Sequence, residues 1–122
     1  MTVRVSDLNV LTVYVTDIER ARTFYVERLG FEPGEDMAPG LLLRSGKVTL
    51  YMEAGRRNRQ TESREFPEFS PCFATESVKQ SYETLKAAGV RIVEDYQEFA
   101  PTFALFKMTD PDGNLIEIAG RP

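Results

Sequence analysis

Acid–base, nucleophilic and metal chemistry in small domains most often starts from histidine, and this chain of 122 residues has none. Its single cysteine, Cys72, has no partner for an intramolecular disulfide and no histidine to take its proton. A nucleophilic thiol needs such a base or a positive neighbour, so Cys72 reads as an inert small residue. No CxxC or Cys/His cluster offers a zinc site. The acidic run Asp110-Pro111-Asp112-Gly113 lacks the further ligands of a calcium loop and reads as a tight turn. What remains for ligand contact is hydroxyl, carboxylate and aromatic. Tyr96, Phe99, Phe103 and Phe106 cluster around Pro101 and could wall a planar ligand or simply pack a strand.

The background to these residues is ordinary. A 42% hydrophobic and 28% charged composition suits one compact domain. With 15 basic against 19 acidic residues the net charge is −4, which argues against nucleic acid and tolerates a neutral or cationic ligand. The N-terminus lacks the apolar stretch of a signal peptide, and no run is long enough to span a bilayer. The expectation is a cytoplasmic protein with no membrane partner.

The elements that must position the site come in two sets. Residues 8–15 predict a strand. Thr16, with Glu19 three residues on, predicts a capped helix whose apolar face is Ile18, Ala21, Tyr25 and Leu29, closed by Gly30. Strands follow at 31–35, 40–45 and 47–53. The order returns after residue 68: a strand at 69–75, interrupted by Pro71, then a helix capped by Ser77 with Gln80. That helix carries Val78, Tyr82, Leu85 and Ala88 and is closed by Gly89. Strands at 90–94, 102–109 and 114–119 complete it. Setting Asp17 against Glu76 places Gly30 on Gly89, so a βαβββ unit is written twice. The modules span 8–53 and 69–119 of a single 1–122 domain. The polar stretch 54–68, with Arg56, Arg57, Arg59 and Arg64, reads as their linker.

Two segments carry a family resemblance. Val15-Thr16-Asp17-Ile18-Glu19-Arg20-Ala21-Arg22-Thr23-Phe24-Tyr25 with Leu29-Gly30-Phe31, and Asp110-Pro111-Asp112-Gly113-Asn114-Leu115-Ile116-Glu117-Ile118, bracket the repeat. The chain thereby resembles the glyoxalase / bleomycin-resistance / extradiol dioxygenase (vicinal oxygen chelate) superfamily. The resemblance implies an α+β fold in which two βαβββ modules form a curled mixed sheet, a half-open cup with helices on the convex face. It also implies a homodimer, because open sheets leave edges and a mouth to cover.

In the family's metal enzymes, such as glyoxalase I, four His or Glu ligands sit on the first and fourth strands of each module. Carried onto this sequence, those positions fall on Val10, Leu50, Ser70 and Glu117. One carboxylate and one hydroxyl do not make a transition-metal site, so the expectation is no metal, no cofactor and no catalytic residue. By strand alternation, Val10, Thr12 and Tyr14 face the cup, as do Val48, Leu50 and Met52, then Ser70, Cys72 and Ala74, then Leu115, Glu117 and Ala119. The reading is a metal-free binder that sequesters an aromatic or cationic small molecule. Val10, Tyr14, Leu50, Met52, Phe103 and Leu105 would supply apolar contact, and Ser70 and Glu117 would orient a polar group. The alternatives are a glyoxalase-like lyase or isomerase with Glu117 as base and Tyr14 or Ser70 as oxyanion donor, and a module whose cup binds nothing.

Overall fold

Strand 11–15 alternates apolar and polar residues, the pattern of a strand with one covered face. In the computed structural model, which describes residues 2–4, 6–54 and 69–122, this segment is β1 (Leu11–Val15). Helix α1 (Ile18–Thr23) follows and runs on into a π-helical segment, Phe24–Arg28. Then come β2 (Glu32–Met37), β3 (Gly40–Ser45) and β4 (Val48–Ala54). The second set is β5 (Cys72–Phe73), α2 (Val78–Ala87), β6 (Ile92–Ala100), β7 (Phe103–Thr109) and β8 (Leu115–Gly120).

Each set makes one four-stranded mixed sheet, ordered β1-β4-β3-β2 and β5-β8-β7-β6. The first and last strands of each set pair in parallel, and the other pairs are antiparallel. The expected α+β class and the twofold βαβββ order are therefore what the chain adopts. The chain divides into two compact units, Met1–Asn58 and Arg59–Pro122. The arginine-bearing linker stretch lies, from residue 55 to 68, outside the described residues.

The helix starts correct the repeat by one residue. The cap of α1 is Asp17, not Thr16: its carboxylate accepts from the backbone N–H groups of Glu19 and Arg20, both at 3.1 Å. A carboxylate is the stronger acceptor and also complements the positive helix terminus. Thr16 instead accepts from the Arg20 guanidinium at 3.0 Å. Ser77 caps α2 as expected, accepting from Gln80 N–H at 3.1 Å. The equivalent of Asp17 is thus Ser77 rather than Glu76. The first helix is one residue longer before its glycine, and the wider π turn at Phe24–Arg28 absorbs it. Gly30 and Gly89 both end their helices at positive φ (76° and 86°), where a glycine is free of Cβ strain.

Register fixes the two faces of each sheet, because paired residues point to the same side. In the first unit Leu11 pairs with Leu50 and Val13 with Met52, while Leu41 and Leu43 pair with Met52 and Leu50 on the other flank. Val15, Leu43, Leu50 and Met52 are fully buried, as are Ala21 and Tyr25 of the helix that lies against β4. In the second unit Phe106 pairs with Ile118 and Met108 with Ile116, all buried. Tyr82 of α2 meets Phe106 edge-on at 5.3 Å between ring centroids. These are the core faces, and the site has to lie on the opposite ones.

Three strands differ clearly in length from expectation. β1 begins at Leu11 rather than at residue 8, where its parallel pairing with β4 starts at Leu50. β5 is only Cys72–Phe73, because Pro71 has no N–H to give to a ladder; its carbonyl still accepts from Glu117 N–H at 2.9 Å. β6 runs to Ala100 rather than 94, since β7 pairs with it up to the Pro101-Thr102 turn.

Candidate functional site

On the open face of the second unit, one cross-strand row reads Cys72, Glu117, Lys107, Glu94 over β5, β8, β7 and β6. Above it along β7 and β8 lie Leu105, in register with Ala119, and then Phe103. Phe103 is 43% exposed and leans on Phe99, 59% exposed, with ring centroids 6.3 Å apart. At roughly 3.4 Å per residue, Phe103 stands about 14 Å along the strand from Lys107 and the charged row. The face therefore runs from a carboxylate, over a short apolar strip, to an exposed aromatic pair.

The surroundings of Glu117 are neutral on one side and charged on the other. Ser70 Oγ donates to its Oε2 at 3.5 Å and, alternatively, to the Pro71 carbonyl at 3.3 Å. Cys72, in register with it across β5 and β8, sets its thiol within the influence of that carboxylate. Lys107, directly opposite, instead holds Glu94 at 3.1 Å. Among the described residues no cation pairs with Glu117, and the row carries one negative charge in excess. Partial burial pushes the Cys72 thiol up, and the charge and hydrogen bond of Glu117 push it further. A thiol raised in this way holds its proton, which fits its reading as unreactive.

The first unit's open face is different. Thr12 and Tyr14 of β1 are in register with Tyr51 and Glu53 of β4. Leu50 and Met52, expected to line the cup, point the other way and are fully buried in the core. The reason is the β3–β4 hairpin: Ser45 pairs with Val48 across the Gly46 turn, which puts Leu43 beside Leu50 and Leu41 beside Met52. Tyr14, 46% exposed, lies on the open side by its register with Glu53, and Val10, outside the strand just before β1, is 37% exposed. Glu53 is a carboxylate that the sequence pattern did not single out, buried at 8% exposure and in register with Tyr14. The available signal was the alternation itself, since a core reading of Leu50 and Met52 turns Tyr51 and Glu53 to the other face.

Of the expected residues, then, Ser70, Leu105, Phe103 and Glu117 share the second unit's open face, and Tyr14 lies on the first unit's, with Val10 exposed just ahead of that strand. Among the four late aromatics only Phe99 and Phe103 are exposed. Phe106 is core, and Tyr96 packs on Tyr82 at 5.8 Å.

The helix caps also revise which positions are equivalent to the family's metal ligands. Thr12 and Cys72 stand five residues before Asp17 and Ser77, and pair with Tyr51 and Glu117 respectively. The first-unit counterpart of Glu117 is therefore Tyr51, not Leu50, and Tyr51 donates its hydroxyl to the Met37 carbonyl at 3.1 Å. The ligand-equivalent set Val10, Tyr51, Ser70 and Glu117 offers one carboxylate. Among the described residues no three His, Cys, Asp or Glu side chains are grouped to hold a metal ion. These residues do not fit the divalent metal of the family's enzymes, which needs three or four good donors. Nor is any helix of the described residues long and apolar enough to cross a membrane.

A twice-written βαβββ unit with an open sheet face is the architecture of one superfamily. A sequence model of the Glyoxalase/Bleomycin resistance protein/Dioxygenase superfamily matches residues 7–118, and the chain belongs to that superfamily. Solved structures repeat the fold. An integron cassette protein from the mobile metagenome of V. cholerae is 25% identical over 98% of each chain, with a TM-score of 0.73. A protein assigned to the glyoxalase family from Bacillus anthracis is 19% identical over the full length of both chains, with a TM-score of 0.78. A glyoxalase/bleomycin resistance protein/dioxygenase from Alicyclobacillus acidocaldarius is 21% identical over 93% of this chain and 89% of its own, at 0.73. No curated protein matches the chain by sequence.

Proposed function

We propose that the protein is a binder rather than a metal enzyme, sequestering a small aromatic or cationic compound on its open sheet faces. The observation that carries this reading is Glu117, a carboxylate with neutral hydrogen-bond partners at one end of an apolar strip that finishes in exposed aromatics. A ligand with a cationic or donor head and a flat apolar body, spanning about 14 Å, matches that order of groups. Ser70 and Glu117 would orient the head; Leu105, Ala119 and Phe103, joined by Phe99, would cover the body. Val10 and Tyr14 are the proposed contacts of the first unit. Leu50 and Met52 act only as core beneath it.

The rival reading, a lyase or isomerase with Glu117 as base, has less support. Proton abstraction beside a carbonyl needs a donor for the developing oxyanion. Ser70 is the hydroxyl hydrogen-bonded to Glu117, and its single proton is already divided between Glu117 and Pro71.

The test is a titration of wild type and Glu117→Gln with 4-phenylbutylamine and its neutral analogue 4-phenylbutanol, followed by calorimetry and melting curves. The amine should bind more tightly than the alcohol and raise the melting temperature by mass action. A charge-assisted hydrogen bond contributes about 1.5–3 kcal/mol, so Glu117→Gln should weaken amine binding roughly 10- to 150-fold. Equal binding of amine and alcohol, or an unchanged affinity in Glu117→Gln, overturns the assignment of Glu117.

A further inference from the structure

Opposite charges that face each other across an antiparallel pair normally form the cross-strand contact, with Cβ atoms about 4.5–5.5 Å apart. Lys107 and Glu117 are such a pair, in register on β7 and β8 and on the same open face. The contact is not made. The Lys107 ammonium is turned to the other flank, where Glu94, in register with it on β6, holds it at 3.1 Å. Lys107 is only 23% exposed while Glu94 is 48% exposed, so the pair is anchored from the rim.

We propose that Glu94 is a positioning residue for the Glu117 site: by holding Lys107 away, it keeps the Glu117 charge uncompensated and open to a cationic group. The proposal rests on the binding reading above for its purpose, but not for its geometry. Without Glu94 the ammonium has one other carboxylate in register, Glu117, within reach of its four-carbon stem. The substitution Glu94→Asp keeps the charge and loses one methylene, so it should hold Lys107 in part.

The molecule contains its own reporter. Cys72 is the sole cysteine, is exposed, and stands in register with Glu117, whose charge raises its thiol. The charged groups of its row are Glu117, Lys107 and Glu94. Its alkylation rate therefore follows the charge at Glu117 with no ligand present. The experiment is iodoacetamide alkylation at pH 7.5 of wild type, Glu94→Gln, Glu94→Asp, Lys107→Met and the double variant Glu94→Gln/Lys107→Met, with melting curves to show that each is folded. Glu94→Gln should alkylate about threefold to tenfold faster, as Lys107 moves onto Glu117 and favours the thiolate, one pKa unit being tenfold. Glu94→Asp should fall between. The double variant should return to within about twofold of wild type, and Lys107→Met should be no faster than wild type.

An unchanged rate in Glu94→Gln overturns the proposal. So does an increase that persists undiminished in the double variant, because that is only the loss of Glu94's own charge. Failure of 4-phenylbutylamine to bind wild type would sink the binding reading while leaving this alkylation pattern intact, so the two are separable.

Discussion

Cys72 faces Glu117 across the parallel β5–β8 pair, and that carboxylate helps to raise its thiol. The contact ties the chain's one cysteine to the one carboxylate of the second open face that no cation pairs with among the described residues. The consequence is a thiol whose protonation reports on the site.

The pH dependence follows from this pair. The folded state raises the thiol above its ordinary value of 9.0, through partial burial and then the charge and hydrogen bond of Glu117. A raised pKa means that the native state holds its proton more tightly than the unfolded chain. The associated stability is fully present below pH 9 and is lost as pH rises through the native pKa. Melting curves between pH 7 and 11 should show a steeper alkaline decline in wild type than in Cys72→Ser. Parallel declines would show that the raised thiol contributes nothing.

Tyr96 should ionise late. Desolvation, the hydrogen bond its hydroxyl gives to Glu98 at 2.7 Å, and the charges of Glu98 and Glu83 push it up to about 12. An ultraviolet titration should lose a component near pH 12 in Tyr96→Phe, and Glu98→Gln should move that component earlier. A component near pH 12 that survives in Tyr96→Phe would place the group elsewhere.

Leu50 and Met52 should behave as core and not as ligand contacts. Leu50→Ala or Met52→Ala removes a fully buried side chain from the β3–β4 core face and should cost about 2–5 kcal/mol of stability. Thr12→Ala, on the exposed side of β1, should stay within about 0.5 kcal/mol. Denaturant melts distinguish them. A mild effect at Leu50 would restore it to the open face.

Metal removal should change nothing. With Val10, Tyr51, Ser70 and Glu117 at the ligand-equivalent positions, elemental analysis of the purified protein should find no stoichiometric transition metal, and chelator should leave the melting temperature unmoved. One tightly held ion per chain would overturn the reading of the site.

By itself the sequence determined the architecture. Hydrophobic alternation, capping at Ser77, terminal glycines at 30 and 89, and the repeat of their order are local signals, each written within a few residues, and together they specify two βαβββ units. It also placed Ser70 and Glu117 on one face, because the distances from helix cap and turn to strand are short there. Only tertiary structure decided the rest. The one-residue offset between the two helices is absorbed by a π turn that no periodicity announces, and it shifts the equivalence from Glu76 to Ser77. Side-chain direction in β4 depends on how the Gly46 hairpin sets register with β3, and a slip of one residue exchanges core and open face. That is why Leu50 and Met52 belong to the core face and Tyr51 and Glu53 to the opposite one. The choice of Lys107 between Glu94 and Glu117 is likewise a matter of three strands meeting, a contact between segments that share no local signal.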